Sequence, residues 1–251
     1  MIYAAAEPAV RKTVEVNGRP YVISEYVGQS PKRGRYVEGA DAEGNSRRPQ
    51  GFLVEQPAGA VTPPHFHEVD QFQVVVEGAA RFGKHPAPPL SVHYASGHTP
   101  YGPVAAGADG VVYYTLRAGW DPGAKYMPAQ RDKLRPPPRR ARFAQAAPVA
   151  APSLAGRLGV QTETLMTPEA DGLAAWRLLA GPGAMLAPPA PLGGGQYIVV
   201  VEGDFARAGE TFGKRACLFL EPGEAPLDGV VGEQGLDLLV LQLPADTRTA
   251  Q

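Results

Sequence analysis

Residues 71–78, Gln-Phe-Gln-Val-Val-Val-Glu-Gly, return at 196–203 as Gln-Tyr-Ile-Val-Val-Val-Glu-Gly, an offset of 125 in a chain of 251 residues. The same offset carries Pro63-Pro64 onto Pro188-Pro189, Gly107 onto Gly232, Gly110 onto Gly235 and Leu116 onto Leu241. Anchors spread over so much of each half are not chance matches between apolar strands; they mark two copies of one folding unit. Whatever the unit is, it must close a core of its own in about half the chain, a length that suffices for a small domain.

The local pattern makes that unit all-β. Short apolar or alternating runs read as strands at Tyr21–Val27, Gln50–Gln56, Gln71–Val76, Ser91–Tyr94 and Val111–Leu116. In the second half they read so at Ala174–Leu179, Gln196–Val201, Cys217–Leu220 and Leu236–Leu243. The chain carries 30 glycines and 27 prolines, which suits dense turns between strands better than helices. Between the copies, Pro128 to Ser153 holds Arg131, Lys133, Arg135, three consecutive prolines at 136–138, Arg139, Arg140 and Arg142. Consecutive prolines exclude a helix interior, and no aromatic residues interleave the charges, so this stretch reads as a solvated linker rather than an anion or nucleic-acid patch. The expected organisation is residues 1–127, a linker over 128–153, and residues 154–251.

A formal net charge of −1 gives no reason to expect nucleic acid or an anionic membrane as partner. Cys217, the only cysteine, lies in an apolar run, so no intramolecular disulfide forms and Cys217 reads as a small buried hydrophobe. The first ten residues have neither a basic region nor an apolar one, and no run is long enough to span a bilayer. A cytoplasmic setting is expected, as a monomer or a homodimer.

All five histidines fall between residues 65 and 98. In a strand, side chains alternate faces, so His65 and His67 point the same way. With His98 a hairpin away, they form the nitrogen-rich cluster that a divalent transition metal prefers. His85, in a proline-rich loop, reads as a solvated turn residue. His93 has three readings: an acid/base, a residue orienting a metal ligand, or a hydrogen-bonded core histidine.

Gly59, His65, His67 and Gly78, with Gln71 between them, fall in register with the first motif of the cupin superfamily, in which Gly and His-x-His are followed by Glu and Gly at fixed spacing. The second motif survives only at His98. With the duplication, the chain resembles a bicupin: all-β, two tandem cupin jelly-roll barrels related by internal duplication. The resemblance implies His65, His67 and His98 as metal ligands, with Gln71 in the corner that is Glu in the family, and one divalent transition metal per chain: Fe(II) first, Mn, Ni or Zn otherwise. A neutral amide in place of a carboxylate leaves the full charge on the metal, which favours an anionic ligand and acidifies bound water. Gln71 could instead orient substrate or a water. Glu68 and Asp70 face away unless the strand bulges.

In the second half His65 becomes Ala190, His67 becomes Leu192, and His98 falls on Gly223 or Glu224, so that copy keeps no ligands. Candidate substrate contacts share the ligand face: Gln73 by alternation, and the hydroxyls of Tyr101 and of Tyr113 or Tyr114. The expected activity is that of a metal-dependent oxidoreductase of the dioxygenase type acting on a small anionic organic substrate, with Gln71, His93 and Tyr101 in catalysis and Gln73 and Tyr113 binding substrate. A metal-dependent isomerase or lyase is the alternative, and a non-catalytic small-molecule-binding cupin is another.

Overall fold

The computed structural model describes residues 3–38, 49–136 and 138–245. The chain divides into two compact units, Ala9–Ala146 and Met1–Pro8 with Ala147–Gln251, called here the first and second units. In chain order the strands are β1 (Tyr3–Ala5), β2 (Val10–Val16), β3 (Arg19–Val27), β4 (Gln50–Gln56), β5 (Val61–Thr62), β6 (His65–Phe66), β7 (Gln71–Phe82), β8 (His85–Ala87) and β9 (Ser91–Ala95). There follow β10 (Val104–Arg117), β11 (Lys125–Tyr126), β12 (Ala141–Gln145), β13 (Val160–Met166), β14 (Ala174–Ala180), β15 (Gln196–Arg207), β16 (Glu210–Phe212), β17 (Cys217–Leu220) and β18 (Val230–Gln242). One short helix, Ala151–Ala155, and a 3-10 turn at Arg131–Lys133 complete the described elements. No helix among the described residues is long and apolar enough to cross a membrane.

The duplication predicted from the offset is visible strand by strand. The first unit's main sheet runs β12-β9-β7-β10-β4-β3-β2 and the second unit's runs β1-β17-β15-β18-β14-β13, every pairing antiparallel. In both, the long central strands pair with each other, β7 with β10 and β15 with β18. Inward residues of each unit make one apolar core, around Ile23, Val54, Val75 and Phe82 in the first and Trp176, Ile198, Leu218 and Leu238 in the second.

The boundaries differ from those the composition suggests. Residues Ala141–Gln145, expected in the linker, form an edge strand whose Phe143 pairs with His93 of β9. Residues 3–5 pair with β17 of the second unit. Edge strands are paired on one side and exposed on the other face, so they lack the apolar alternation that betrays a central strand.

The glycines that close the repeated motif have a physical reason to be there. Gly78 (φ +68°) and Gly203 (φ +76°) hold the same left-handed backbone, as do Gly110 (φ +82°) and Gly235 (φ +73°). A Cβ on Gly78 would lie 2.3 Å from the carbonyl oxygen of Gly110, and one on Gly203 would lie 1.8 Å from that of Gly235. Only a residue without Cβ meets both demands. Substituting Gly78→Ala is therefore expected to cost roughly 2 kcal/mol or more, from left-handed strain plus the clash. A urea midpoint matching that of the unsubstituted protein would contradict this.

Candidate functional site

The register of the first sheet places three polar side chains in one row. Arg117 is the cross-strand partner of Gln71 on β7 and of Gln50 on β4. Residues directly opposite on one face touch, and here they bond: Arg117 donates Nε–H to Gln71 Oε1 at 3.0 Å and Nη1–H to Gln50 Oε1 at 2.9 Å. By period 2, Thr115 and Tyr113 continue the inward row on β10, with Gln73 opposite Thr115.

His65 and His67 join this row from one side. Both are buried, and Phe66 between them turns to the opposite face. The His65 backbone exchanges both hydrogen bonds with Tyr101, N–H to O at 3.0 Å and O to N–H at 2.9 Å. That pairing sets the two side chains together, with Tyr101 Oη 2.8 Å from His65 Nε2 and the ring centroids 4.5 Å apart. His65 Nδ1 lies 2.7 Å from the Pro63 carbonyl, and His67 Nδ1 lies 2.7 Å from Asp121 Oδ1. A carbonyl and a carboxylate only accept, so each Nδ1 carries the proton and each Nε2 offers a lone pair. Gln71 donates Nε2–H to Tyr101 Oη at 2.7 Å, and Arg117 Nη2 lies 3.1 Å from both ring nitrogens of His67.

Asp121 was not anticipated from the sequence. Its carboxylate is fully buried, accepts the backbone N–H groups of Glu68 at 2.8 Å and Gly123 at 2.9 Å, and stands 3.7 Å from Arg117 Nη1. Burial alone would push its carboxyl up; His67, Arg117 and the donated hydrogen bonds outweigh that and hold it well below the usual carboxylate range. Burial, seconded by the neighbouring His67 and Arg117, lowers His65 to about 3. Burial and then Arg117 lower His67 as well, so both imidazoles are neutral at pH 7. Burial raises the Tyr101 and Tyr113 phenols, which stay protonated.

The remaining expected residues divide. His98 does not join the pair. Its ring lies 5.6 Å from that of Phe66, and its Nδ1 accepts the Arg135 backbone N–H at 3.4 Å. Its backbone is left-handed (φ +61°), as is that of Gly223 (φ +81°) at the same place in the second copy; the position is a turn. His93 is a buried histidine bonded through Nδ1 to Gln73 Oε1 at 3.0 Å, and burial lowers it to about 4. His85 is exposed at the start of β8, with its ring stacked 5.0 Å from Phe143. Asp70 binds the Tyr94 hydroxyl and the Gly97 N–H, and Glu68 pairs with Lys125 at 3.0 Å, so neither replaces Gln71. Tyr114 faces the other side, against Tyr26.

The inward residues line a cavity of about 90 Å³ that opens to solvent. His65, His67, Tyr101, Tyr113 and Arg117 supply its polar wall, and Val14, Val16, Ile23, Phe52 and Val54 its apolar one. As arranged, the residues do not fit a divalent metal ion. Among the described residues, no group of three or more His, Cys, Asp or Glu side chains could hold one. The available donors are two imidazole nitrogens, a protonated phenol and an amide, with a guanidinium in contact with one imidazole. A doubly charged ion 4 Å from that guanidinium would meet a repulsion of about 8 kcal/mol at an effective dielectric of 20.

No protein-family model matches the chain, and no curated protein matches it in sequence. Solved structures do share its fold. A protein of Nostoc punctiforme described as a candidate dioxygenase superposes with a TM-score of 0.63 at 14% identity, over 98% of this chain and 83% of that one. The bacterial pirin YhhW of Escherichia coli, in complex with nickel(II), gives 0.55 at 14% identity, over 98% and 100%. Quercetin 2,3-dioxygenase of Acinetobacter baumannii gives 0.52 at 15% identity, over 98% and 80%. The chain has the fold expected from its motif and its duplication: two tandem jelly-roll copies of the cupin type.

The lowered histidines tie stability to pH. In the unfolded chain each histidine takes up its proton near pH 6.5; in the fold His65 and His93 refuse it until about 3 and about 4. Below pH 6.5 the unfolded state therefore binds more protons, and stability falls as pH falls. The loss approaches about 1.4 kcal/mol per pH unit for each of the two. Trp176→Phe leaves Trp120 to report the first unit. Its urea midpoint is expected to drop markedly from pH 7 to pH 5; an unchanged midpoint would show that these histidines are not held neutral.

Proposed function

We propose that the first unit is the active site of a dioxygenase-type oxidoreductase acting on a small anionic organic substrate. The observation that carries this reading is the Arg117 guanidinium, 2% exposed, on the wall of a cavity whose other wall is apolar. A buried cation in such a place favours a ligand with an apolar body and one oxyanion, such as an enolate, phenolate or carboxylate.

In this reading the substrate's oxygen lies against Arg117 and its body against Phe52, Val54 and Ile23. Tyr101 and His65 move the proton. A substrate C–H or O–H proton passes to Tyr101 Oη as the phenol proton passes to His65 Nε2. Arrival of the anion offsets the charge of Arg117, one of the causes that keep His65 neutral, and so makes His65 a better base. The electron-rich anion left behind then adds to O₂: a C–O bond forms as the O–O π bond breaks, the resulting peroxide anion takes back the proton held by Tyr101 and His65, and the apolar wall keeps bulk water out. Gln73, held by His93, and Tyr113 complete the substrate wall. Two structural neighbours described as dioxygenases favour O₂ as the acceptor.

A second reading, an isomerase or lyase, uses the same proton step and ends it by reprotonation; the complete His65–Tyr101 acid/base pair favours it. The expected metal, Fe(II) or another, called for His65, His67, His98 and Gln71, of which His98 faces elsewhere and Gln71 bonds Tyr101 and Arg117; the nickel in the bacterial pirin belongs to that protein.

An oxygen electrode with enolisable and phenolic carboxylates tests the reading. Substrate-dependent uptake is expected, one O₂ per turnover, with Tyr101→Phe slower by roughly 10²–10⁴. Turnover at the same rate without O₂ selects the isomerase or lyase instead. Tyr101→Phe at full rate would remove the proton relay.

A further inference from the structure

We propose that Arg117 is the resident cation of this site: its guanidinium stands in place of a metal ion, within a network of hydrogen bonds that is complete without one. The network can be followed proton by proton from two fixed ends. At one end the Pro63 carbonyl takes Nδ1–H of His65, leaving Nε2 bare to accept the Tyr101 hydroxyl. Tyr101 has then spent its only proton, so its oxygen can only accept from the next residue, and Gln71 must turn Nε2–H toward it. That orientation leaves Gln71 Oε1 facing Arg117, which donates Nε–H. At the other end the Asp121 carboxylate takes Nδ1–H of His67, and Arg117 Nη2, 3.1 Å from both ring nitrogens, lies over the face of that neutral imidazole. No step needs a second proton or leaves an acceptor facing an acceptor.

The network accounts for the departure at residue 71. A glutamate there could accept from Arg117 but could not donate to Tyr101, whereas an amide does both. It also accounts for Asp121, whose charge balances Arg117 from behind His67. Of the two Nε2 lone pairs that a metal would need, that of His65 is engaged by the Tyr101 hydroxyl, and a cation covers the ring that carries the other. The site accordingly takes the oxyanion of its ligand on a guanidinium. This inference concerns the site's own cation and stands whether the reaction is an oxygenation or an isomerisation.

The second unit shows what the sheet tolerates. There the equivalent row is Gln196, Gln242 and Ala174, with Gln242 accepting from Gln196 Nε2 at 3.2 Å. Arg117→Gln thus introduces a side chain that this row already accommodates in the other copy.

The test is titration of untagged, EDTA-treated protein with Ni²⁺ and Mn²⁺ alone by calorimetry, alongside metal analysis of the protein as purified. The unsubstituted protein is expected to carry well under one equivalent and to bind neither ion in the micromolar range. Arg117→Gln with Tyr101→His is expected to bind Ni²⁺ at one site per chain, tighter by at least about 100-fold once the cation is gone and a third imidazole is supplied. One tight equivalent in the unsubstituted protein, lost in His65→Ala, would overturn the proposal. So would a double variant with unchanged circular dichroism that binds no better. Should the double variant not fold, Arg117→Gln alone decides: tighter Ni²⁺ binding supports the proposal, and binding equal to that of the unsubstituted protein overturns it.

Discussion

A guanidinium cannot be sealed inside a β-barrel without partners for its charge and its donors, because an unpaired buried charge costs several kcal/mol. Arg117 finds them in the register of the sheet itself, with Gln71 on one neighbouring strand and Gln50 on the other. The Asp121 carboxylate stands 3.7 Å away, held in the turn after the strand. Arg117 adds to the burial that keeps His65 and His67 neutral, and through Gln71 it fixes which way the amide faces Tyr101. The same row of side chains that stabilises the cation points it at the cavity, so packing and binding are one constraint here.

The second copy shows which features belong to the fold and which to the site. The paired left-handed glycines recur in both units, Gly78 with Gly110 and Gly203 with Gly235, because the close approach of the two central strands demands them. The charged row does not recur. Gln242 replaces Arg117 and bonds back to the Leu192 N–H and the Gly172 carbonyl. A neutral amide closes the same corner with local bonds and needs no carboxylate behind it. The buried ion pair of the second unit, Arg177 with Asp237 at 2.7 Å, lies instead across neighbouring strands of its own sheet.

Much of this was legible in the residues. Gln50–Gln56 and Cys217–Leu220 form as the apolar pattern indicates, and the offset of 125 maps central strand onto central strand. His65 and His67 share a face, as alternation requires, and Tyr101 stands beside them. His98 misled because its residue type was counted without its backbone: a turn falls there, and the glycine at 223 in the other copy was the sign of it. Arg117 was missed by one residue, since an apolar reading of the strand stops at Leu116. Its phase with Thr115 and Tyr113 was the available signal, a charge on the inward face of a buried strand. Asp121 and the edge strand Ala141–Gln145 gave no such signal, because the first acts from a turn and the second is half exposed.

Both imidazoles are neutral and carry their proton on Nδ1, with the His65 Nε2 lone pair given to Tyr101 and the Arg117 guanidinium set against the His67 ring. Nitrogen-15 NMR of histidine-labelled protein at pH 7 reads this directly from the ring nitrogen shifts and their couplings to the ring protons. The Nδ1–H tautomer is expected for His65 and His67, with spectra unchanged by EDTA. Nε2–H tautomers, imidazolium shifts, or resonances that move when a chelator strips a bound metal would contradict it.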